Sequence, residues 1–243
     1  MRRALAIVLI AAPAFGADPR RSGFDDMTPQ LQAMQRDDAA NPAMLWVKEG
    51  EATWGRDCAR CHGDASNSMR GVAARYPAFD TATGRPITLS QRINQCRVTR
   101  MQSTPLAPES DASLSIESFV ALQSRGLPIA PPNDPRLQPF RARGEQLFRR
   151  RIGQLDFACA QCHDDHAGQR LGGSTIPQAH PTGYPQYRLE WQGLASLQRR
   201  LRNCMNGVRA EPFAYGAPEF TELELYLNAR AAGMLVEVPA VRP

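Results

Sequence analysis

The pentapeptide C-x-x-C-H occurs twice in this chain, as Cys58-Ala59-Arg60-Cys61-His62 and as Cys159-Ala160-Gln161-Cys162-His163. Two thiols three residues apart can form thioether bonds to both vinyl groups of one porphyrin, and the imidazole that follows then faces the iron as a proximal ligand. A thioredoxin-like redox motif or half of a zinc site also uses C-x-x-C, but neither requires histidine at the next position. The motifs therefore predict two covalently bound haem c groups. Cys58 and Cys61 hold one, Cys159 and Cys162 the other, with His62 and His163 as axial ligands.

Compartment and charge agree with that expectation. Arg2 and Arg3 precede an apolar stretch from Ala4 to Ala12 and small residues at Gly16 and Ala17, the layout of a secretory signal peptide over residues 1–16. The apolar run is shorter than the roughly 20 residues a spanning helix needs, so no membrane span is expected. Covalent haem c is assembled outside the bacterial cytoplasm, and the mature chain is expected in the periplasm. The formal charge of +5 falls with the loss of Arg2 and Arg3, leaving 27 basic against 24 acidic residues. That balance is too weak for nucleic acid. Apart from Lys48 every basic residue is arginine, whose planar paired donors suit acidic partners and oxyanions.

The chain divides around a proline-rich stretch, Leu127-Pro128-Ile129-Ala130-Pro131-Pro132-Asn133-Asp134-Pro135, which cannot sustain helix and reads as a stiff connector with little to bury. Expected units are an N-terminal extension at 17–46, a first domain at 47–127, a linker at 128–139 and a second domain at 140–243. The extension is polar, with a short helix expected over 29–36, and is free to wrap a partner or the second domain. The halves repeat one another. Gly50-Glu51-Ala52-Thr53-Trp54 precedes the first motif and Gly144-Glu145-Gln146-Leu147-Phe148 the second, each with the periodicity of an entry helix. Downstream, Leu89 to Cys96 and Leu197 to Cys204 share the pattern L-x-x-R-[I/L]-x-x-C. Terminal helices are expected over 115–124 and 221–232. The predicted fold class is all-α, two tandem cytochrome c-like domains forming a pseudo-repeat.

Four of the six cysteines are used by the haems, leaving Cys96 and Cys204. In an exported protein the plain alternative is a disulfide between them. Their equivalent places in the repeat argue that each faces its own haem, as the second axial ligand of its iron. They follow His62 and His163 by 34 and 41 positions, enough for a loop and a helix to reach the distal face. Met69, Met101 and Met205 are not equivalently placed; Met205, beside Cys204, is the runner-up ligand of the second haem. His166 and His180 are read as loop histidines, and Asp164 and Asp165 as a surface turn.

The segment before Cys204 carries the strongest hint of chemistry. Leu194, Leu197, Leu201 and Cys204 follow helical spacing, and Gly207 can end the helix. Arg200 stands one turn before Cys204, on its side of the helix, where a cation favours thiolate over thiol. Arg199, Arg202 and Arg209 are expected to add positive field at the same point, attracting a small dianion. Arg92, in the first half, is expected to pair with a haem propionate.

On these residues the chain resembles the dihaem A subunit of the SoxAX cytochromes of bacterial sulfur oxidation. The carriers of the resemblance are the exported tandem, both C-x-x-C-H motifs, a cysteine behind each, and the run Arg200-Leu201-Arg202-Asn203-Cys204-Met205. The resemblance implies a transferase, an L-cysteine S-thiosulfotransferase, which joins thiosulfate oxidatively to a cysteine of a carrier protein, the SoxYZ complex. A monohaem cytochrome subunit, SoxX, accepts electrons and forms a heterodimer. By position, Cys204 would be distal haem ligand and catalytic cysteine, found as a persulfide in that family, Arg200 would bind thiosulfate, and Cys96 would ligate the first haem. A thiosulfate dehydrogenase forming tetrathionate and a non-catalytic dihaem electron carrier are the competing functions.

Overall fold

Polar capping residues set the helix starts in the computed structural model, which describes residues 19–243. The expected signal segment 1–16 lies outside the described residues. Thr28, Thr88, Ser110 and Ser196 each accept a backbone N–H at the start of a helix, satisfying a donor that has no partner within it. The helix α1 (Pro29–Arg36) has the expected bounds.

In the first half, α2 (Met44–Thr53) runs through a wide π-turn, Trp54–Cys58, into α3 (Ala59–His62), and α4 (Ala65–Ser68) follows. A hairpin of β1 (Ala78–Asp80) and β2 (Arg85–Ile87) leads to α5 (Leu89–Met101) and α6 (Asp111–Leu122). The second half repeats the order. Helix α7 (Gln138–Arg149) precedes a π-turn, Gln161–Asp165, that holds Cys162 and His163. A small ladder of β3 (Arg170–Leu171) and β4 (Ser174–Thr175) and a hairpin of β5 (Gln186–Arg188) and β6 (Gly193–Ala195) lead to α8 (Leu197–Gly207) and α9 (Pro218–Arg230). The chain closes with β7 (Ala240–Arg242), parallel to β5, in a sheet of order β6-β5-β7.

The fold is thus mainly helical, and the all-α expectation is corrected by these short strands. They belong to the repeat: Tyr76-Pro77 and Tyr184-Pro185, both cis, enter the two hairpins, and Thr88 and Ser196 leave them as helix caps. The terminal helices start earlier than 115 and 221, because Ser110 caps α6 and Pro218 occupies the first turn of α9.

Each half is held by one helix crossing. A β-carbon on Gly50 would run into the Ser115 carbonyl and Phe119, and one on Gly144 into the Glu222 carbonyl and Tyr226. The bare glycines let α2 reach α6, and α7 reach α9, at backbone distance. Val47, Trp54, Ile116, Phe119 and Val120 form the first core. Phe148, Phe220, Leu223, Tyr226 and Leu227 form the second.

The two halves meet about a pseudo-twofold axis. Gly126 N–H donates to the Val236 carbonyl at 2.9 Å and Gly233 N–H to Ile129 at 2.8 Å, while Ile129 and Val236 donate to Met234 and Leu127 at 2.8 and 2.9 Å. Each bond in this set is the counterpart of another under the repeat. The proline-rich segment is therefore not a connector with little to bury. Ile129 is 4% exposed in a cluster with Ala74, Ala121, Ala231, Val236 and Val238 that joins the halves. The N-terminal extension lies along the C-terminal segment: Asn41 Nδ2 donates to Pro239 at 2.9 Å, Val241 N–H to Gln35 at 3.0 Å, and Ser22 Oγ to Glu237 at 2.5 Å.

Candidate functional site

Helix α8 delivers Cys204 and Arg200 to a cavity of about 330 Å³, which His163 enters from the π-turn of the second motif. Met27, Thr28 and Leu31 of the N-terminal extension line it as well. The orientation of His163 is fixed from behind. Its Nδ1 lies 2.7 Å from the Pro177 carbonyl, which can only accept, so Nδ1 carries the proton and the other ring nitrogen is left to face the cavity.

Cys204 and His163 are close enough to share a hydrogen bond. Burial raises the Cys204 thiol, yet the His163 contact and the positive fields of Arg200 and Arg188 outweigh burial and hold it below the ordinary thiol value. Arg200 shows the reciprocal effect: burial works against its charge, and Cys204, Tyr184 and Glu190 more than offset that. Burial pushes the neighbouring Tyr184 hydroxyl up to about 12 and, with Cys204 nearby, the Cys159 thiol up to about 11. The site therefore pairs a sulfur whose thiolate form is favoured with a guanidinium that keeps its proton.

The donor set fits a haem. An imidazole nitrogen and a thiol confront each other, and Cys159 and Cys162 stand beside the histidine with no disulfide engaging them. In the first half, Cys96 on α5 lies in the field of Cys58, and Arg97 pairs with Asp57 at 3.5 Å next to the motif. His62 is exposed and rests against Trp54, with ring centres 5.7 Å apart. No disulfide engages any of the six cysteines, so none joins Cys96 to Cys204.

The model of the SoxA/TsdA cytochrome c domain family matches residues 43–129 and 143–236, once in each half. The L-cysteine S-thiosulfotransferase subunit SoxA of Pseudaminobacter salicylatoxidans is 36% identical over 93% of this chain and 82% of its own length. The chain belongs to the SoxA family. The SoxA subunit of Rhodovulum sulfidophilum is 35% identical over 93% of this chain and 81% of that protein. A crystal structure of SoxXA from P. pantotrophus superposes with a TM-score of 0.88 at 33% identity, covering 92% of this chain and 87% of that one. As cytochrome c domains, both halves of this SoxA-family chain belong to a fold that carries haem c.

Several expected neighbours of Cys204 lie elsewhere. Arg199 stacks on Trp191 and Arg202 on Tyr215, while Arg209 follows the end of α8. The guanidiniums of Arg199 and Arg202 lie over aromatic faces, and the added field at the sulfur comes from Arg188 on β5, which also pairs with Glu190 at 2.7 Å. Arg92 pairs with Asp80 at 3.0 Å. Leu194 does not continue the helix. It lies in β6, 2% exposed, packed with Ala43 and Leu114 of the first half. Met205 is buried in the second core with Phe148 and Phe220, about 100° around the helix from Cys204. His180 Nδ1 donates to the Arg21 carbonyl at 2.8 Å, His166 is exposed, and Asp164 pairs with Arg230 at 2.6 Å. Sequence reading missed Arg188 and Tyr184 at the site. The repeated Tyr-Pro pair marked both hairpins and was the available signal.

Proposed function

We propose that this chain is the dihaem subunit of a periplasmic L-cysteine S-thiosulfotransferase, conjugating thiosulfate to a cysteine of a SoxYZ-type carrier protein and passing electrons to a monohaem cytochrome c partner of the SoxX kind. The observation that carries this reading is the meeting of Arg200, Cys204 and His163 in one cavity. An electron carrier needs no half-buried guanidinium beside a sulfur that a dianion could approach.

Cys58 and Cys61 would hold one haem c, with His62 and Cys96 as the residues that would ligate its iron. Cys159 and Cys162 would hold the other, with His163 and Cys204 in the same roles. When bound, the second haem supplies one-electron redox chemistry next to the Cys204 sulfur. The remaining work falls to the protein. Arg200 grips the sulfonate oxygens through paired donors, and Arg188 adds to the field that keeps a doubly negative substrate in place. Cys204 offers a sulfur to the outer sulfur of thiosulfate, and the Pro177 carbonyl keeps His163 in the tautomer that faces it. Met27 and Leu31 supply an apolar rim that limits water. The division into a first domain at 47–127 and a catalytic domain at 140–243 accords with chemistry confined to the second half.

The test is an assay of thiosulfate conjugation to a carrier cysteine with an external electron acceptor. Cys204→Ser is expected to abolish turnover, while Cys96→Ser keeps much of it and loses one of two thiolate-ligated low-spin haem signals in electron paramagnetic resonance. Tetrathionate as the sole product, with the carrier untouched, would assign the chain to thiosulfate dehydrogenation. Equal activity in Cys204→Ser and wild type would rule out both reactions at this cysteine.

A further inference from the structure

A second cavity, of about 150 Å³, lies between the halves, and Glu117 of α6 and Glu224 of α9 both line it. The two residues are counterparts in the repeat, each following the crossing contact of its helix by two positions. The pseudo-twofold axis therefore puts two carboxyls in the lining of one cavity. The other titratable groups that line the cavity are Tyr76, Glu109, Tyr184 and Tyr215, and among the described residues no arginine, lysine or histidine does. Arg199 and Arg202 act on Tyr215. Gln198 donates to Glu224 at 2.7 Å and accepts from Gly216 N–H at 2.8 Å, which fixes the Glu224 side chain.

Two carboxylates in a small space without a cation do not both ionise, so the pair keeps a proton that isolated glutamates would lose. Burial, with Glu224 and Glu109 nearby, pushes Glu117 up to about 8. Burial pushes Glu224 up to about 7, against the hydrogen bond from Gln198. Near neutrality the pair is thus able both to accept a proton and to release one.

This cavity shares a wall with the Cys204 site: Pro181, Thr182, Tyr184 and Leu197 line both. The chemistry proposed above leaves a proton to be placed. When the carrier thiol R–SH and thiosulfate form R–S–S–SO3⁻, the S–H bond breaks and a sulfur–sulfur bond forms. Two electrons leave to two one-electron acceptors of the cytochrome class, and one proton remains. We propose that Glu117 and Glu224 form the proton-binding site of this reaction, receiving that proton across the shared wall at Tyr184. The Tyr184 hydroxyl stays protonated at working pH and lies in the field of Cys204 and Arg200, on the side from which the proton comes. This inference rests on the thiosulfotransferase reading for the source of the proton, and on the cavity itself for the site.

The experiment uses the holoprotein, with E117Q, E224Q, the double variant and E117D, each checked by thermal melting. Infrared difference spectra against pH, without substrate, are expected to show protonated-carboxyl bands that titrate near neutrality, with one lost in each glutamine variant. In the conjugation assay, kcat of the wild type is expected to rise with pH through the neutral range, because a doubly protonated pair cannot accept. The double variant loses this limb and about tenfold in kcat, with KM for thiosulfate unchanged, while E117D keeps the limb. Absence of any carboxyl band titrating between about pH 6 and 9 overturns the site whatever the activity. A wild-type kcat and pH limb in the double variant overturns its role. Titrating bands in a wild type that conjugates nothing overturn the functional reading and, with it, the source of the proton.

Discussion

At the scale of single residues, Arg200 and Cys204 explain why the second half is the reactive one. The first half has the same cysteine at the same place, but the arginine one turn before it, Arg92, is committed to Asp80, whose side chain is 3% exposed. Among the described residues Arg200 forms no ion pair with a carboxylate, and Cys204 raises it more than Tyr184 or Glu190 does. Replacing Arg200 by alanine is expected to lower kcat/KM for thiosulfate by about 10- to 100-fold, the value of a charge-assisted hydrogen bond or two. Arg200→Lys keeps the charge but loses the fork, and is expected to fall between the two. Steady-state kinetics over thiosulfate concentration decide this, and equal rates for wild type and Arg200→Ala would remove Arg200 from the substrate site. The pairing of Arg200 with Cys204 was legible in the sequence because helical spacing alone determines it. Arg188 was not, since it reaches the sulfur through a strand, and nothing local in Gln186-Tyr187-Arg188 announces what lies across from it.

Among the elements, the two helix crossings do most to fix the position of the haem motifs. Gly50 and Gly144 stood in the sequence as matching members of the repeat, but what they match is a contact, and only the packing of α2 on α6 and of α7 on α9 reveals it. Adding a methyl group at either position forces the crossing helices apart. Gly144→Ala is expected to cost about 1–3 kcal/mol through overpacking, and Gly50→Ala a similar amount, measured by chemical denaturation of the holoprotein. Unchanged stability in both would mean that the crossings yield at no cost. The strands escaped the sequence reading for a physical reason: each is two or three residues long, too short for alternation to register. The connector misled for a related reason. Its prolines do forbid helix, but Ile129 between them is an apolar anchor that a count of breakers overlooks.

For the whole molecule, the pseudo-twofold axis joins the halves into one body and places Glu117 and Glu224 in the lining of one cavity. No sequence pattern in one half could show this, because the pairing arises only when the halves dock. It has a thermodynamic consequence separate from catalysis. Both carboxyls are raised above the ordinary value of 4.5, Glu117 to about 8 and Glu224 to about 7. Between those limits the folded protein binds protons that the unfolded chain has lost, so unfolding releases protons and stability falls as pH rises. The contribution is fully present below pH 4.5 and is gone once pH passes about 8. Glutamine at both positions has no charge to bury and no such dependence. The double variant is therefore expected to gain stability over the wild type with rising pH, by on the order of 2 kcal/mol from pH 5 to pH 8 after allowing for water in the cavity. Denaturation of both proteins across that range measures the difference. Parallel stability curves would show that the pair titrates as freely in the folded protein as in the unfolded chain.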